Sequence, residues 1–560
     1  NPEDYEVLRR HGIDVRGKVV LVRYSNPYSY RGFKALTAER EGAAGILIYS
    51  DPAEDGFKRG RVFPDGPWGP ESHIQRGAIT YDFIVPGDPL TPGWPSVPGA
   101  RQVRPEEAKS LPKIGGLPLS WKDAKPLLEN MDGPVAPKEW HGGLPIEYRL
   151  GGDRVRVRLK VGMDNGVSPN YVVEGRIRGG ERPEEWVILG NHRDAWEFGG
   201  VDPSSGTASM MEVTRALGEM LRSGRRPRRT LVFCSWDGEE VGLTGSTEWG
   251  EQFADDLEAK AVAYLNVDSS ASGPDFDPQA SVSLAPLVLD LARELRDPAT
   301  GLSLDEALRA TRAKARTEAG HEAPVSDDDL VDVRIGSGSD HTVFLNHLGI
   351  PTIGLSFDGP YGVYHSMYDG FYWMNRFGDP GYRYHVLLAR LWGTLALRLA
   401  NADLLPFDLA ACARHLREFV GDLEKVTPKG RLDLSPLRAR IDALEGAGRR
   451  LNENAVRALA SGTPAPDLAR RVDRGLLGLE RNWLDADGLP GRPWFKHTLY
   501  GARYTYAHLE LPGLTEAAEE KDWERAARQA AVLERAVARN AALVDDLAAA
   551  LAATSGGRPP

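Results

Sequence analysis

Two cysteines serve 560 residues. Cys234 and Cys412 are too few for a disulfide framework, and Cys234 sits inside an apolar run, where a thiol is buried and inert. No apolar run approaches the roughly 20 residues that a membrane-spanning helix needs. The opening NPEDYEVLRR has neither an initiator methionine nor a signal-peptide pattern. Internal repeats and low-complexity blocks are missing too. Positive charge is in deficit: 69 Lys and Arg stand against 80 Asp and Glu, a net charge of −11. Nucleic acid and anionic membranes are therefore poor candidates for the main partner. What remains is an ordinary globular composition, 41% hydrophobic and 27% charged, in a chain long enough for about two to four domains.

Three regions differ in texture. In residues 1–153 the runs KVVLVRY and GILIYS read as strands around a helix-like stretch, FKALTAEREGAA. Turns rich in Pro and Gly follow, and then a helix, SWKDAKPLLENM, with Ser120 as its cap. Residues 154–405 alternate strands and helices, the pattern of a mostly parallel sheet covered on both faces. Residues 406–560 are dominated by Ala, Leu, Arg and Glu. Their apolar positions recur at helical spacing in LRARIDALEGAGRRLNENAVRALA, LARRVDRGLLGLERNWL and WERAARQAAVLERAVARNAALVDDLAAAL. These are amphipathic helices of a bundle, expected to pack against a second copy of the chain.

The chemistry gathers in the middle region. EWVILGN is a buried strand with His192 just past its apolar run. RTLVFCSW is another, followed by Glu239 and Glu240. AVAYLNV is a third, followed by Asp268. Ligands of open α/β sheets bind beyond the carboxyl ends of the strands, and all three deliver a His or carboxylate there. Between the first two strands, the loop GGVDPSSG carries Asp202, and Ser204 or Ser205 can cap the helix TASMMEVTRALGEMLRSG, which Gly224 can end. His and carboxylate side chains in this number suit a pair of zinc ions sharing one carboxylate. His192 and Asp268 can hold one ion, Glu240 and a later His the other, and Asp202 can bridge. The later His is best assigned to His365, in the loop GVYHSMYDG. His341 and His347 fall in a helical pattern and suit helix-surface or supporting roles. Of the two adjacent glutamates, Glu240 is assigned as ligand and Glu239 as the base that moves protons. Asp194 can orient the His192 ring.

These motifs, NHRDAWEFGGVDPSSG, SWDGEEVGLTGSTEW, YLNVDSS, GSGSDHTVF and YHSMYDG, closely resemble the glutamate carboxypeptidase and transferrin-receptor-like family of co-catalytic zinc exopeptidases. The resemblance extends over nearly the whole chain, through DPLTPGWP early and LDADGLPGRPWFKH late. It implies a zinc peptidase domain (154–405), a protease-associated apical domain (1–153) and a C-terminal helical dimerisation domain (406–560). It implies the same zinc set, with His192 and Asp268 on one ion, Glu240 and His365 on the other, Asp202 bridging and Glu239 as base. Tyr364 matches a tyrosine that contacts the substrate carbonyl. Thr91, Trp94, Glu248 and Glu251 match a calcium site joining two domains. Arg31, Tyr506 and Ser339 match the substrate side.

There are departures. The family's glutamate-gripping Asn and Lys fall on Ala78 and Thr505. The arginines that favour an acidic residue across the scissile bond are missing from PTIGLSF. A protease-domain segment that precedes the apical domain in the family has no counterpart at this N-terminus. The expectation is a dinuclear zinc exopeptidase, carboxypeptidase-like with relaxed or non-glutamate specificity. The rivals are an aminopeptidase of the same fold and a catalytically silent receptor. Relatives commonly face outward, which favours an extracellular, periplasmic or membrane-anchored ectodomain setting.

Overall fold

The computed structural model describes residues 1–25, 30–320, 323–462, 464–504 and 506–555. Near the N-terminus, β1 (Val19–Arg23), β2 (Gly45–Tyr49) and β3 (Gly115–Leu119) pair in parallel in that order. The helix Arg31–Arg40 crosses from β1 to β2, as parallel neighbours require. Ser120 caps the helix Trp121–Glu129 by accepting from the Asp123 amide, 3.1 Å away.

The second sheet contains β4 (Val173–Ile177), β5 (Arg182–His192), β6 (Arg229–Trp236), β7 (Ala261–Asn266), β8 (Asp275–Ala280) and β9 (Thr352–Asp358). Their spatial order is β4-β6-β5-β7-β9-β8. The centre is parallel, and β4 and β8 run antiparallel at the two edges. Side chains alternate across a strand, so each central strand feeds two cores. Val187, Leu189, Phe233 and Leu265 pack with the helices Ser204–Arg222 and Arg383–Asn401. Trp186, Ile188, Val232, Cys234 and Tyr264 belong to the opposite core, which continues into Tyr30 and Phe33 of the first region. Burial on both faces explains why these strands read as continuous apolar runs.

One expected detail fails. Neither Ser204 nor Ser205 caps the helix Ser204–Arg222, whose first residue is Ser204 itself. The Ser205 hydroxyl donates to the Val201 carbonyl, 2.5 Å, and accepts from the Ser270 amide, 2.8 Å. Its hydrogen bonds are already committed to the loop it follows. Gly224 does end the helix, at φ +85°.

The C-terminal helices Leu409–Val426, Ser435–Ala460, Pro466–Arg481 and Trp523–Ser555 pack together and share a core with the sheet. A buried ion cluster fastens them to it. Asp473, fully buried on the third of these helices, accepts from Arg182 of β5 and from Arg229 of β6, the latter at 2.6 Å. Among the described residues, no helix is long and apolar enough to cross a membrane.

Candidate metal centre

Four chain segments meet beyond the carboxyl end of the second sheet. His192 ends β5, and its Nε2 lies 3.0 Å from Asp268 Oδ1, just past β7, and 3.3 Å from Asp202 Oδ1. The other oxygen of Asp202 lies 3.2 Å from His365 Nε2, which is also 3.3 Å from Glu240 Oε2. Asp202 thus stands between two imidazoles, one carboxylate oxygen toward each. The atoms able to ligate a metal form two groups, His192–Asp202–Asp268 and Asp202–Glu240–His365, each within 4.8 Å of one another. Gly206 permits this crowding: a Cβ there would come within 2.2 Å of the Asp268 carbonyl oxygen.

Supporting contacts fix the ring orientations. His192 Nδ1 faces the Asp194 carbonyl at 3.0 Å, and His365 Nδ1 faces the Arg76 carbonyl at 3.1 Å. Each carbonyl holds the proton on Nδ1 and leaves Nε2 as a lone-pair donor. The Asp194 side chain has a second task that the sequence did not reveal. Its carboxylate accepts from the Glu239 and Glu240 amides, 3.1 Å each, and so shapes the loop after β6. Ser339 lines the cleft and donates to Asp268 Oδ2 at 2.7 Å. Behind it runs a relay of hydrogen bonds from Trp236 to Tyr264, Asn266 and Ser339. His365 has φ +54°, a left-handed backbone rare outside glycine, and such strain concentrates at functional sites.

The electrostatics call for a cation. Burial pushes Glu239 far above the ordinary carboxylate range, and the charges of Asp268 and Glu240 add to this against the pull of His192. Glu240 is pushed up to about 9, first by burial and then by the charge of Asp202. Although burial opposes it, contacts with His192 and His365 hold Asp202 low. Asp202 Oδ1 and Glu240 Oε1 are buried and accept no hydrogen bond. Imidazole nitrogens with carboxylate oxygens, including two orphaned buried ones, are a donor set that fits zinc.

The other assigned residues fall around this centre. Tyr364 stacks on the His365 ring, centroids 3.6 Å apart, and its hydroxyl lies 3.2 Å from that of Tyr506. Arg31 is 4% exposed, with Nη2 3.2 Å from His365 Nδ1 and its guanidinium carbon 5.9 and 5.8 Å from the ring centroids of Tyr24 and Tyr30. Among the described residues no carboxylate pairs with it. Thr505 lies outside the described residues.

Glu248 and Glu251 lie apart, on the helix Thr244–Gln252. Glu248 accepts from the amides of Asp88, 2.6 Å, and Ser96, 2.5 Å, on the loop that carries Thr91 and Trp94. Glu251 accepts from the Trp494 indole at 2.7 Å, and its Oε2 is buried without a partner. For two other histidines, expected on a helix surface or in supporting roles, the surface placement is corrected. His341 is buried, and His347 packs against Trp494, its Nδ1 2.8 Å from that residue's carbonyl oxygen. The apolar residues around both, Val343, Phe344 and Leu345, are core residues that draw them inward.

Three domain families match in order: the PA domain over residues 1–81, peptidase family M28 over 172–376, and the transferrin receptor-like dimerisation domain over 432–545. The chain is 37% identical to the Arabidopsis thaliana protein named probable glutamate carboxypeptidase LAMP1, over 92% of this chain and 73% of that one. It is 33% identical to aminopeptidase NAALADL1 of Rattus norvegicus, over 92% of this chain and 71% of that one. The chain therefore belongs to the glutamate carboxypeptidase and transferrin-receptor-like family, and its central domain is that of an M28 metallopeptidase. Among solved structures, a zinc aminopeptidase from Bacillus subtilis aligns over 69% of this chain and 70% of that one, at 15% identity and a TM-score of 0.36.

Proposed function

We propose that this chain is a dinuclear zinc exopeptidase that grips a C-terminal carboxylate and has relaxed or non-glutamate specificity. His192 and Asp268 would hold one zinc, Glu240 and His365 the other, with Asp202 shared. Zinc in such a pair supplies Lewis acidity, drawing charge from a carbonyl oxygen and making water easier to deprotonate. Glu239 takes the proton from the attacking water and hands it to the leaving amine. Burial favours this role, because a carboxylate raised in pKa is a stronger base than a solvated one and accepts the water's proton more readily. The Tyr364 hydroxyl donates to the carbonyl oxygen as charge grows on it. Arg31 pairs with the substrate carboxylate. The observation that carries the terminal assignment is Arg31 itself: a buried guanidinium with no carboxylate partner among the described residues, beside the metal centre. A buried cation left so needs a partner, and a carboxylate supplies one bidentately.

The loop holding Thr91 and the Trp94 carbonyl, with Glu248 and Glu251, would hold one calcium ion, since hard oxygen donors suit it. The helices of residues 406–560 would form a homodimer, which light scattering at micromolar concentration checks.

The test of function is hydrolysis by the zinc-loaded chain of two blocked peptides, acetyl-Ala-Leu and acetyl-Ala-Leu-amide. A carboxypeptidase cleaves the first and spares the second, and Arg31→Ala raises KM for the first more than it lowers kcat. Cleavage of unblocked Ala-Leu-amide in preference to both would establish the aminopeptidase instead.

A further inference from the structure

Beyond the metal centre the cleft continues as a cavity of about 290 Å³, and one wall of it is built by the edge pair β8–β9. The pleat sorts that pair into two faces. Phe276 and Phe357 point into the core. Asp277, Gln279, Ser356 and Asp358 line the cavity. Across the ladder Asp275 sits directly opposite Asp358, and Asp277 opposite Ser356. Like charges facing each other across a sheet are destabilising. One acid is partly answered: Arg312 donates to Asp277 Oδ1 at 2.8 Å. Asp358 has no ion-pair partner among the described residues.

A second, independent feature lies in the same cavity. His341 lines it, is 9% exposed, and its Nε2 has no hydrogen-bond partner. Burial holds this imidazole neutral, its pKa lowered to about 4, with the Gly336 carbonyl as the ring's hydrogen-bonding neighbour. A ring that gives its one proton to a carbonyl keeps a bare lone pair on the other nitrogen. Carboxylates, an unused imidazole lone pair and an amide that can present its oxygen are together a field of acceptors.

The far end of the centre has the opposite sign. Arg31 stands at His365, whereas the acidic wall adjoins Asp268. If Arg31 takes the C-terminal carboxylate, the acidic wall faces the acyl side of the scissile bond. We infer that the acyl-side pocket selects a substrate carrying an ammonium or guanidinium group, received by Asp277 and Asp358 beside the neutral, unpartnered ring of His341. This direction along the substrate rests on the function proposed above, but the cation preference does not. Two sources could supply the charge, a Lys or Arg side chain next to the scissile bond or a free α-amine.

Titration calorimetry on the zinc-loaded full chain tests it without requiring turnover. Nα-acetyl-lysine should bind about tenfold tighter than Nα-acetyl-norleucine, the size expected of two partly exposed charge pairs. The ratio should fall partway in Asp358→Asn, a substitution at an exposed residue, and approach one in Asp277→Asn/Asp358→Asn. A third pair, norleucine amide with and without an acetylated α-amine, identifies the source. Preference for the free amine there, with none for acetyl-lysine, assigns the cation to the N-terminus. Equal binding or no binding of all these probes, tighter binding of Nα-acetyl-glutamate, or a lysine preference that survives the double substitution overturns the inference. Acetyl-Lys-Leu left uncleaved while acetyl-lysine still binds selectively would defeat the hydrolase reading alone.

Discussion

At the scale of single residues, the role of each group depends on which lone pairs the fold leaves free. Glu239 and Glu240 are neighbours in sequence, yet only Glu240 reaches His365, 3.3 Å away. Glu239 is free to move a proton. Glu239→Gln should therefore lower kcat by about 10²- to 10⁴-fold while two zinc ions per chain remain by elemental analysis. Loss of zinc with the activity would mean that Glu239 is a ligand instead. This centre was legible because every member follows an apolar strand or stands in its loop, and strand ends are where α/β sheets put ligands. The second use of Asp194, bonded to two backbone amides, left no mark, because backbone donors have no sequence signature. His341 misled for a related reason. A His among apolar residues at helical spacing reads equally well on either side of the helix, and only the packing of Phe344 and Leu345 decides.

Secondary-structure elements were read best where burial is two-sided. The centre of the second sheet announced itself as three apolar runs, whereas β8, DFDPQA, carries two acids and a proline and has no apolar run to announce it. Its charged face exists because it lines a cleft, and proline is tolerated on an edge strand. The helix Pro2–Arg10 was missed although its signals were present: Asn1 as cap, Pro2 at the first turn and Asp4 completing a capping box. Nothing local could announce the Arg182–Asp473–Arg229 cluster, whose members meet only through tertiary packing. Its energetics are asymmetric, since removing one partner leaves buried charge uncompensated. Asp473→Ala should cost about 3–5 kcal/mol, read as a fall in the urea midpoint, and a change within error would show the arginines finding water. Lys34, buried on the helix Arg31–Arg40, is the converse case. Burial lowers its pKa from 10.5 to about 8, so folding penalises the protonated amine. The penalty is full below about pH 8 and gone above about 10.5. Lys34→Met should raise stability by up to about 3 kcal/mol at pH 7, with the gain shrinking as pH rises toward 10. A gain that does not vary with pH would locate the effect in packing rather than charge.

Over the whole molecule, the question is what keeps the first region seated on the peptidase domain, since Arg31 must come from one and His365 from the other. Part of the answer is apolar: Tyr30 and Phe33 share a core with Trp186 and Tyr264. The rest is the junction where Glu248 reaches across to the amides of Asp88 and Ser96. Two half-buried acids meet there, and their desolvation pushes Glu248 up to about 7 and Glu251 up to about 8. Ionised, they repel each other at this junction. A calcium ion would turn that repulsion into a clamp between the two regions. Ligand that binds only the folded chain stabilises it by mass action, by about 2.7 kcal/mol at a hundredfold excess over Kd. Calcium added to the zinc-saturated chain should then raise Tm by several degrees, and magnesium, which prefers a smaller and stricter octahedron, should raise it less. Glu251→Gln should abolish the shift while leaving zinc content at wild-type level. It should also lower the affinity for a C-terminal carboxylate, because Arg31 is carried by the region that the clamp seats. A Tm unmoved by calcium would mean that protonation alone quiets the two acids and that the apolar core holds the junction by itself.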